Sequence, residues 1–505
     1  MSTYVDYDFW ARLIVGKTFF QTGTLLNFDF QSFGPTRQWF DHEWGSSLIF
    51  YGILDNFGET GLIIFKIIMN FLIIFMVTKI ILLRRKHLYK DIKINPIKEA
   101  PLNILFFILL TQSMLNIINT TVRCQVFTFF FFLVWFYTLE KSRLENSRKI
   151  LWILPVTMIL WSNIHGGCFT GLGLLGLYIV GEFLNKKPVK HYVIAFITSF
   201  FALFINPYGI KYVYFLFHAI TMKRPSITEW QPLWGKLHFF KFFKFKIWST
   251  CTALISAIIL IKKYNRIQKP LISEKFKNLY QNLDKTKAIV LIVMFLLSLK
   301  TIRLIPFFTI SAAIYLYDDI YTKIFNKKMS NVLNNIKEIF LGILILISFV
   351  YTMHTIKIKT TVRHLPYLEA EFLKINNLKG NLLADFHQGS FLAYKLYPNN
   401  FIFMDGRYEE TYDPNQLNRL KEIHIGPNWQ DEFDKQHIDY IILDMKSEGM
   451  LYQRLLHTKE WYPAITGNKF ILLIRKDKKI INPKLPPADL EYYDKHKWET
   501  NINWR

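Results

Sequence analysis

GLIIFKIIMNFLIIFMVTKIILL, residues 61–83, is the stretch that decides the fold. At about 1.5 Å of rise per residue such a helix exceeds the roughly 30 Å hydrocarbon core of a bilayer, and its only charges are Lys66 and Lys79. Working outward, apolar runs recur at 102–118, 122–139, 150–163, 167–184, 191–205, 247–262, 288–302, 304–320 and 338–354, giving about ten expected spans. The whole chain of 505 residues is 51% hydrophobic and 17% aromatic, with 47 Phe and a mean hydropathy of +0.17. Gathered into runs, that content excludes a disordered chain and an ordinary soluble enzyme. The expected fold class is an α-helical polytopic membrane protein with a C-terminal soluble α/β domain.

The net charge of +24 invites a nucleic-acid reading until its distribution is examined. Five segments between apolar runs, 84–101, 140–150, 185–191, 262–287 and 321–337, hold 25 Lys and Arg against 6 Asp and Glu. Short basic loops flanking apolar runs mark the cytoplasmic side. The N-terminal stretch 1–60 has 3 basic against 7 acidic residues, and 355–505 has 22 against 20. The basicity is therefore a topology signal, and no nucleic-acid partner is expected. Both ends come out extracytoplasmic. Because a polar N-terminal tail of that length translocates poorly unaided, a further helix ahead of Met1 is expected. Cys124, Cys168 and Cys251 offer neither metal spacing nor a disulfide framework.

Three parts follow. Residues 1–60 form an extracytoplasmic acidic and aromatic loop, in which FWARLIVGKTFF at 9–20 suits an interfacial helix. Residues 61–354 form the transmembrane domain, with an outward segment at 206–246. Residues 355–505 read as an extracytoplasmic α/β domain, with strands at 381–386, 401–406, 439–444 and 469–475 and helices at 389–396, 415–423 and 449–456.

Chemistry is expected in four places. The first is the N-terminal loop, where Asp6, Asp8 and Trp10 are followed by Asp41, His42, Glu43 and Trp44. Carboxylates and a histidine flanked by aromatics can supply a general base or hold a divalent cation, and the ordinary alternative is a solvated acidic loop. The second is the polar break with Asn163, His165, Gly166 and Gly167, which is otherwise a capped turn. The third is a set of cations near membrane depth, Arg123, Lys300 and Arg303, together with Glu229 and Trp230. A guanidinium there can clamp a lipid phosphate or simply snorkel to headgroups. The last is Asp405-Gly406-Arg407 after a strand, for which a salt-bridged turn is the default. The pairs 150–163/167–184 and 288–302/304–320 read as helices broken around His165 and Arg303.

These short motifs, together with Gly16, Gly23, Ser32-Phe33, Trp39, Gln125 and Asn206-Pro207-Tyr208-Gly209, resemble bacterial polytopic proteins related to the GT-C glycosyltransferases. The resemblance implies a multi-pass protein of the bacterial inner (cytoplasmic) membrane that takes a sugar from a polyprenyl-phosphate donor. It implies catalysis by Asp8, with Asp6, His42 and Glu43 beside it. Donor phosphate is expected on Arg303, His165 and Arg123, and the pocket on Trp10, Trp44, Asn163, Glu229 and Trp230. Partners are then the lipid-linked donor and membrane lipids. The sequence leaves open which of Asp6 and Asp8 is the base, whether a metal such as Mg or Mn takes part, and the oligomeric state. A transporter or flippase for a lipid-linked saccharide and a non-catalytic envelope scaffold are the competing readings.

Overall fold

The computed structural model describes residues 4–5, 7–88, 121–222, 224, 227–234, 246, 261, 264, 272–325, 365–407, 410–413 and 415–500. Its helices, in chain order, are α1 Tyr7–Thr22, α2 Trp44–Leu88, α3 Gln125–Glu145, α4 Ile153–Ile164, α5 Phe169–Leu184, α6 Lys190–Ala202, α7 Ile210–Thr221, α8 Ile272–Gln281, α9 Lys285–Lys300, α10 Ile305–Phe325, α11 Tyr367–Ile375, α12 Phe386–Leu396, α13 Gln416–Ile425, α14 Trp429–Asp434, α15 Gly449–Thr458 and α16 Leu490–Lys495. The strands are β1 Tyr4–Val5, β2 Thr121–Val122, β3 Gly380–Leu383, β4 Asn400–Ile402, β5 Tyr440–Asp444, β6 Trp461–Thr466 and β7 Phe470–Arg475. The chain divides into a helical unit (Met1–Ser2, Phe65–Thr120 and Cys124–Ile356) and a mixed unit (Thr3–Ile64, Thr121–Arg123 and Lys357–Arg505).

The helical unit is built on two hairpins whose turns are alike. Helix α4 ends at His165 in extended conformation, followed by a 3-10 turn over Gly166–Cys168 and then α5. Helix α9 ends at Thr301, also extended, followed by a 3-10 turn over Ile302–Leu304 and then α10. Across the second hairpin Phe295 meets Phe308 at 5.2 Å. Across the first, Gly171 faces Trp161 so closely that a Cβ there would come within 2.6 Å of the indole. Only glycine lets these helices approach so near.

This unit buries a polar network among its apolar side chains and exposes further apolar ones. Glu140 is fully buried, pairs with Arg84, and accepts from Tyr178 at 2.6 Å and Tyr315 at 3.0 Å. Arg143 bridges Glu182 and Asp284, and Thr286 donates to Glu182 at 2.7 Å. These contacts bring the ends of α2, α3, α5, α9 and α10 together. Meanwhile Ile67, Phe71, Phe75, Val156, Leu160, Phe183, Ile197, Phe201, Ile292 and Leu296 are exposed. Among the described residues two helices, Trp44–His87 and Gly166–Leu184, are long and apolar enough to cross a membrane, while Lys149–Ile164 and Ile302–Tyr317 are apolar but shorter. The ten expected spans are not all represented by such helices. The runs at 102–118 and 338–354, and 247–262 except Ile261, lie outside the described residues. Helix α6, of 13 residues, reaches only about 20 Å, because 191–205 ends in the turn before Asn206-Pro207-Tyr208-Gly209.

The mixed unit holds a five-stranded sheet in the order β4-β3-β5-β7-β6, parallel from β4 to β5 and antiparallel through β7 and β6. Residues 31–33 extend it beyond β4: Ile402 N–H donates to the Gln31 carbonyl at 2.9 Å, and Phe33 N–H to the Ile402 carbonyl at 3.0 Å. Helix α1 occupies the stretch read as interfacial, but it is buried from Phe9 to Gly16 within this unit. Trp10 is 1% exposed, with its ring 5.2 Å from Phe391, 5.3 Å from Tyr394 and 5.3 Å from Trp498. Its apolar face is a core contact. Gly16 lies against the start of α2, where a Cβ would sit 2.4 Å from the Ser47 carbonyl oxygen. Helix α2 is itself broken at Gly58, whose φ of 61° suits glycine.

Helix α11 carries Glu369 into the core of this unit, where its carboxylate accepts the Gly467 N–H at 3.1 Å. Loss of solvent raises its pKa from 4.5 to about 7. A carboxyl raised on folding contributes stability that is complete below pH 4.5 and is lost as pH rises through about 7. Glu369→Gln should therefore raise the unfolding free energy by about 1–3 kcal/mol at pH 8 and change nothing at pH 4. Thermal denaturation at the two pH values measures the difference.

Candidate functional site

Three of the sequence motifs meet in the mixed unit. The parallel pairing of β1 with β2, Tyr4 opposite Thr121 and Val5 opposite Val122, runs the segment before Asp8 beside the segment before Arg123. Asp8 sits in the first turn of α1, and its Oδ2 lies 3.8 Å from Arg123 Nη2. Gly406, of the Asp405-Gly406-Arg407 turn, packs so close that a Cβ would be 2.9 Å from Asp8 Oδ1. Asp8 is 56% exposed and Arg123 29%, so solvent reaches both members of the pair. A carboxylate at a helix N-terminus is favoured by the helix dipole. Asp6 lies outside the described residues.

Arg12, one turn along α1, is the neighbouring hub. Its guanidinium pairs with Asp41 and lies 3.5 Å from Glu43. Asp41 also accepts the Glu43 N–H at 3.0 Å, ahead of the helix that begins at Trp44. His42 bridges two acids, with Nε2 3.7 Å from Glu43 and Nδ1 3.4 Å from Glu410. Trp44 is partly buried at the first position of α2. Glu43 is thus an ion-pair partner of Arg12, and Trp10, which the sequence placed in a pocket, is a core residue.

Behind this lies a buried charge network. Arg407 Nε donates to Asp405 at 2.9 Å and Nη2 to Asp29 at 2.8 Å, with its guanidinium 4.6 Å from the Trp39 ring. Asp405 also accepts from Gln31 at 2.9 Å and Ser390 at 3.1 Å. The two aspartates hold the guanidinium charged, well above its ordinary pKa against the cost of burial. The expected salt-bridged turn is present, with a partner from the N-terminal segment that sequence reasoning missed. The alternation Phe28-Asp29-Phe30-Gln31 is a strand signature that could have pointed to it.

The other expected residues lie in the helical unit. His165 is buried, and its Nδ1 accepts the Gly167 N–H at 3.0 Å and meets Thr128 Oγ1 at 2.6 Å. Trp161 Nε1 donates to the same Thr128 oxygen at 2.9 Å. His165 therefore caps the hairpin turn. Asn163 donates to the Ile159 and Ile205 carbonyls at 2.7 and 2.8 Å, tying α4 to the end of α6. Arg303, 32% exposed, lies 3.9 Å from Glu229 and 5.1 Å from the Trp230 ring, on which Arg224 also stacks at 4.4 Å. Backbone bonds from Leu233 to Leu299 and from Ile302 to Gln231 hold this loop on the α9–α10 turn.

No family model matches the sequence, and no curated protein matches it. The chain is similar in structure to the Archaeoglobus fulgidus oligosaccharyltransferase in its apo form, with a TM-score of 0.53 at 10% identity, over 88% of this chain and 66% of that one. The archaeal oligosaccharyltransferase of the same organism in complex with an inhibitory peptide and a dolichol-phosphate aligns over 97% of this chain and 73% of that one, with a TM-score of 0.48 and 11% identity. The first likeness shows the fold alone, a mostly helical chain with a small sheet, and the chain spans just under two thirds of that protein.

Replacing Arg407 by Met leaves Asp29 and Asp405 buried and uncompensated, which costs about 3–5 kcal/mol. Adding Asp29→Asn and Asp405→Asn should recover part of that loss. Denaturant unfolding of the single and triple variants checks both statements.

Proposed function

We propose that this protein is a membrane glycosyltransferase that transfers a sugar from a polyprenyl-phosphate donor to an envelope acceptor on the extracytoplasmic face of a bacterial inner membrane. The observation that carries the reading is the Asp8–Arg123 pair at 3.8 Å, since it sets a carboxylate that can take a proton beside a guanidinium that can take a phosphate. In this mechanism Asp8 accepts the acceptor hydroxyl proton as the sugar carbon is attacked. Arg123 neutralises charge growing on the departing phosphate. His42 and Glu43, held by Arg12 and Glu410, keep the surrounding field acidic. In the helical unit Arg303, partly exposed beside Glu229 and Trp230, is the second candidate for lipid phosphate.

Three observations support the membrane part of the proposal. The helical unit exposes aliphatic and aromatic side chains while burying Glu140, Arg84 and Arg143. The network that buries them gathers the helix ends bordering the basic loops 84–101, 140–150, 185–191 and 262–287, as a common cytoplasmic side requires. The fold is that of a protein named as an oligosaccharyltransferase. On this reading 61–354 is the multi-pass domain, and 1–60 and 355–505 face outward.

The test is sugar transfer by the purified protein in nanodiscs with a panel of polyprenyl-phosphate sugars. Wild type should release free polyprenyl phosphate, Asp8→Asn should lose at least about 100-fold in turnover with donor binding kept, and Arg123→Met should weaken donor binding. Donor binding by both wild type and Asp8→Asn with no turnover by either would shift the assignment to a lipid-linked-saccharide transporter or a scaffold.

A further inference from the structure

The carboxyl ends of β3 and β5 are adjacent and parallel, the place where ligands bind in open α/β sheets, and the glycosyltransferase reading does not use them. Asp385 follows β3 and caps α12, Glu448 follows β5, and His424 stands in the last turn of α13. One ligand atom from each lies within 4.8 Å of the other two. We propose that Asp385, His424 and Glu448 form a binding site for a divalent transition metal of the zinc class.

The donors are prepared for that task. Glu448, whose side chain is 6% exposed, has Oε2 fixed by the Asp444 N–H at 2.7 Å, which leaves Oε1 turned toward His424 Nδ1 at 3.0 Å. His424 Nε2 is buried and has no hydrogen-bond partner among the described residues. Asp385 is oriented by the His387 N–H at 2.9 Å and by the His387 ring at 2.6 Å, as outer partners orient a ligating carboxylate. Two carboxylates around one imidazole leave a surplus of negative charge that a dication cancels. The nearby Asp444 is already matched by Lys469 at 2.8 Å. One nitrogen and two carboxylate oxygens suit zinc or its neighbours and leave a fourth position for water, whereas magnesium prefers an all-oxygen octahedron.

The site is tested on the untagged full-length protein, stripped with chelator and titrated with Co²⁺. One equivalent should bind with the strong visible absorption of four-coordinate cobalt, and Zn²⁺ should displace it while excess Mg²⁺ does not. His424→Gln and Glu448→Gln should bind at least about tenfold more weakly. Exposed His457→Gln, on α15, should bind as wild type does. Asp385→Asn keeps a helix-capping side chain, so weaker binding by that variant speaks for the site even where the others fail to fold. Uptake by wild type no greater than by the folded variants, or displacement by Mg²⁺ as readily as by Zn²⁺, overturns the proposal.

Discussion

The burial of Arg407 between Asp29 and Asp405 is the constraint on which the mixed unit depends. A guanidinium with no access to water needs charge on more than one side, and here the second carboxylate comes from a segment remote in sequence. Satisfying it holds residues 29–33 along β4 and, through Arg37 N–H to the Thr411 carbonyl at 2.7 Å, carries the chain on toward Asp41, His42 and Glu43. The same turn presents Gly406 to Asp8. The position of Gly406 beside Asp8 is therefore tied to the buried charge of the neighbouring Arg407.

The two units differ in what they bury and what they expose. In the mixed unit Leu383, Phe403, Ile441, Leu443 and Leu473 form a dry interior, as in any domain bathed by water. In the helical unit glutamates, arginines and tyrosines are joined inside among buried leucine, phenylalanine and tryptophan, and further isoleucine and phenylalanine side chains are turned out. A buried network of this kind adds little net stability, since desolvation offsets attraction. What it does fix is which helices are neighbours, because each unmatched charge in another arrangement carries a heavy cost.

Much of this was legible in the sequence wherever one local rule decides the outcome. Polar residues between apolar runs marked the hairpin turns around His165 and Arg303. Short apolar runs between turn residues marked β3, β4, β5 and β7. Strand β6 escaped notice because Pro463 interrupts it, and the proline is tolerated since β6 is the edge of the sheet. Helix α1 was legible as a helix but not in its surroundings: an apolar stretch with one arginine fits a membrane surface as well as a protein core, and only the distant partners Phe391 and Trp498 decide. Around Asp8 the residue types were legible, but the pairings with Arg123 and Gly406, and those of Arg12 with Asp41 and Arg407 with Asp29, join segments far apart in sequence and obey no periodicity.

The mixed unit is also discontinuous, and that matters while the chain is being made. Asp29 and Arg407 are 378 residues apart, so at about 5–20 residues per second roughly 20–75 s pass between synthesis of the first and arrival of the second. During that interval Asp29 lacks its cation, and the face of α1 that carries Trp10 has no Phe391 or Tyr394 to meet. The apolar, aromatic face of α1 is thus made well before the residues that finally cover it.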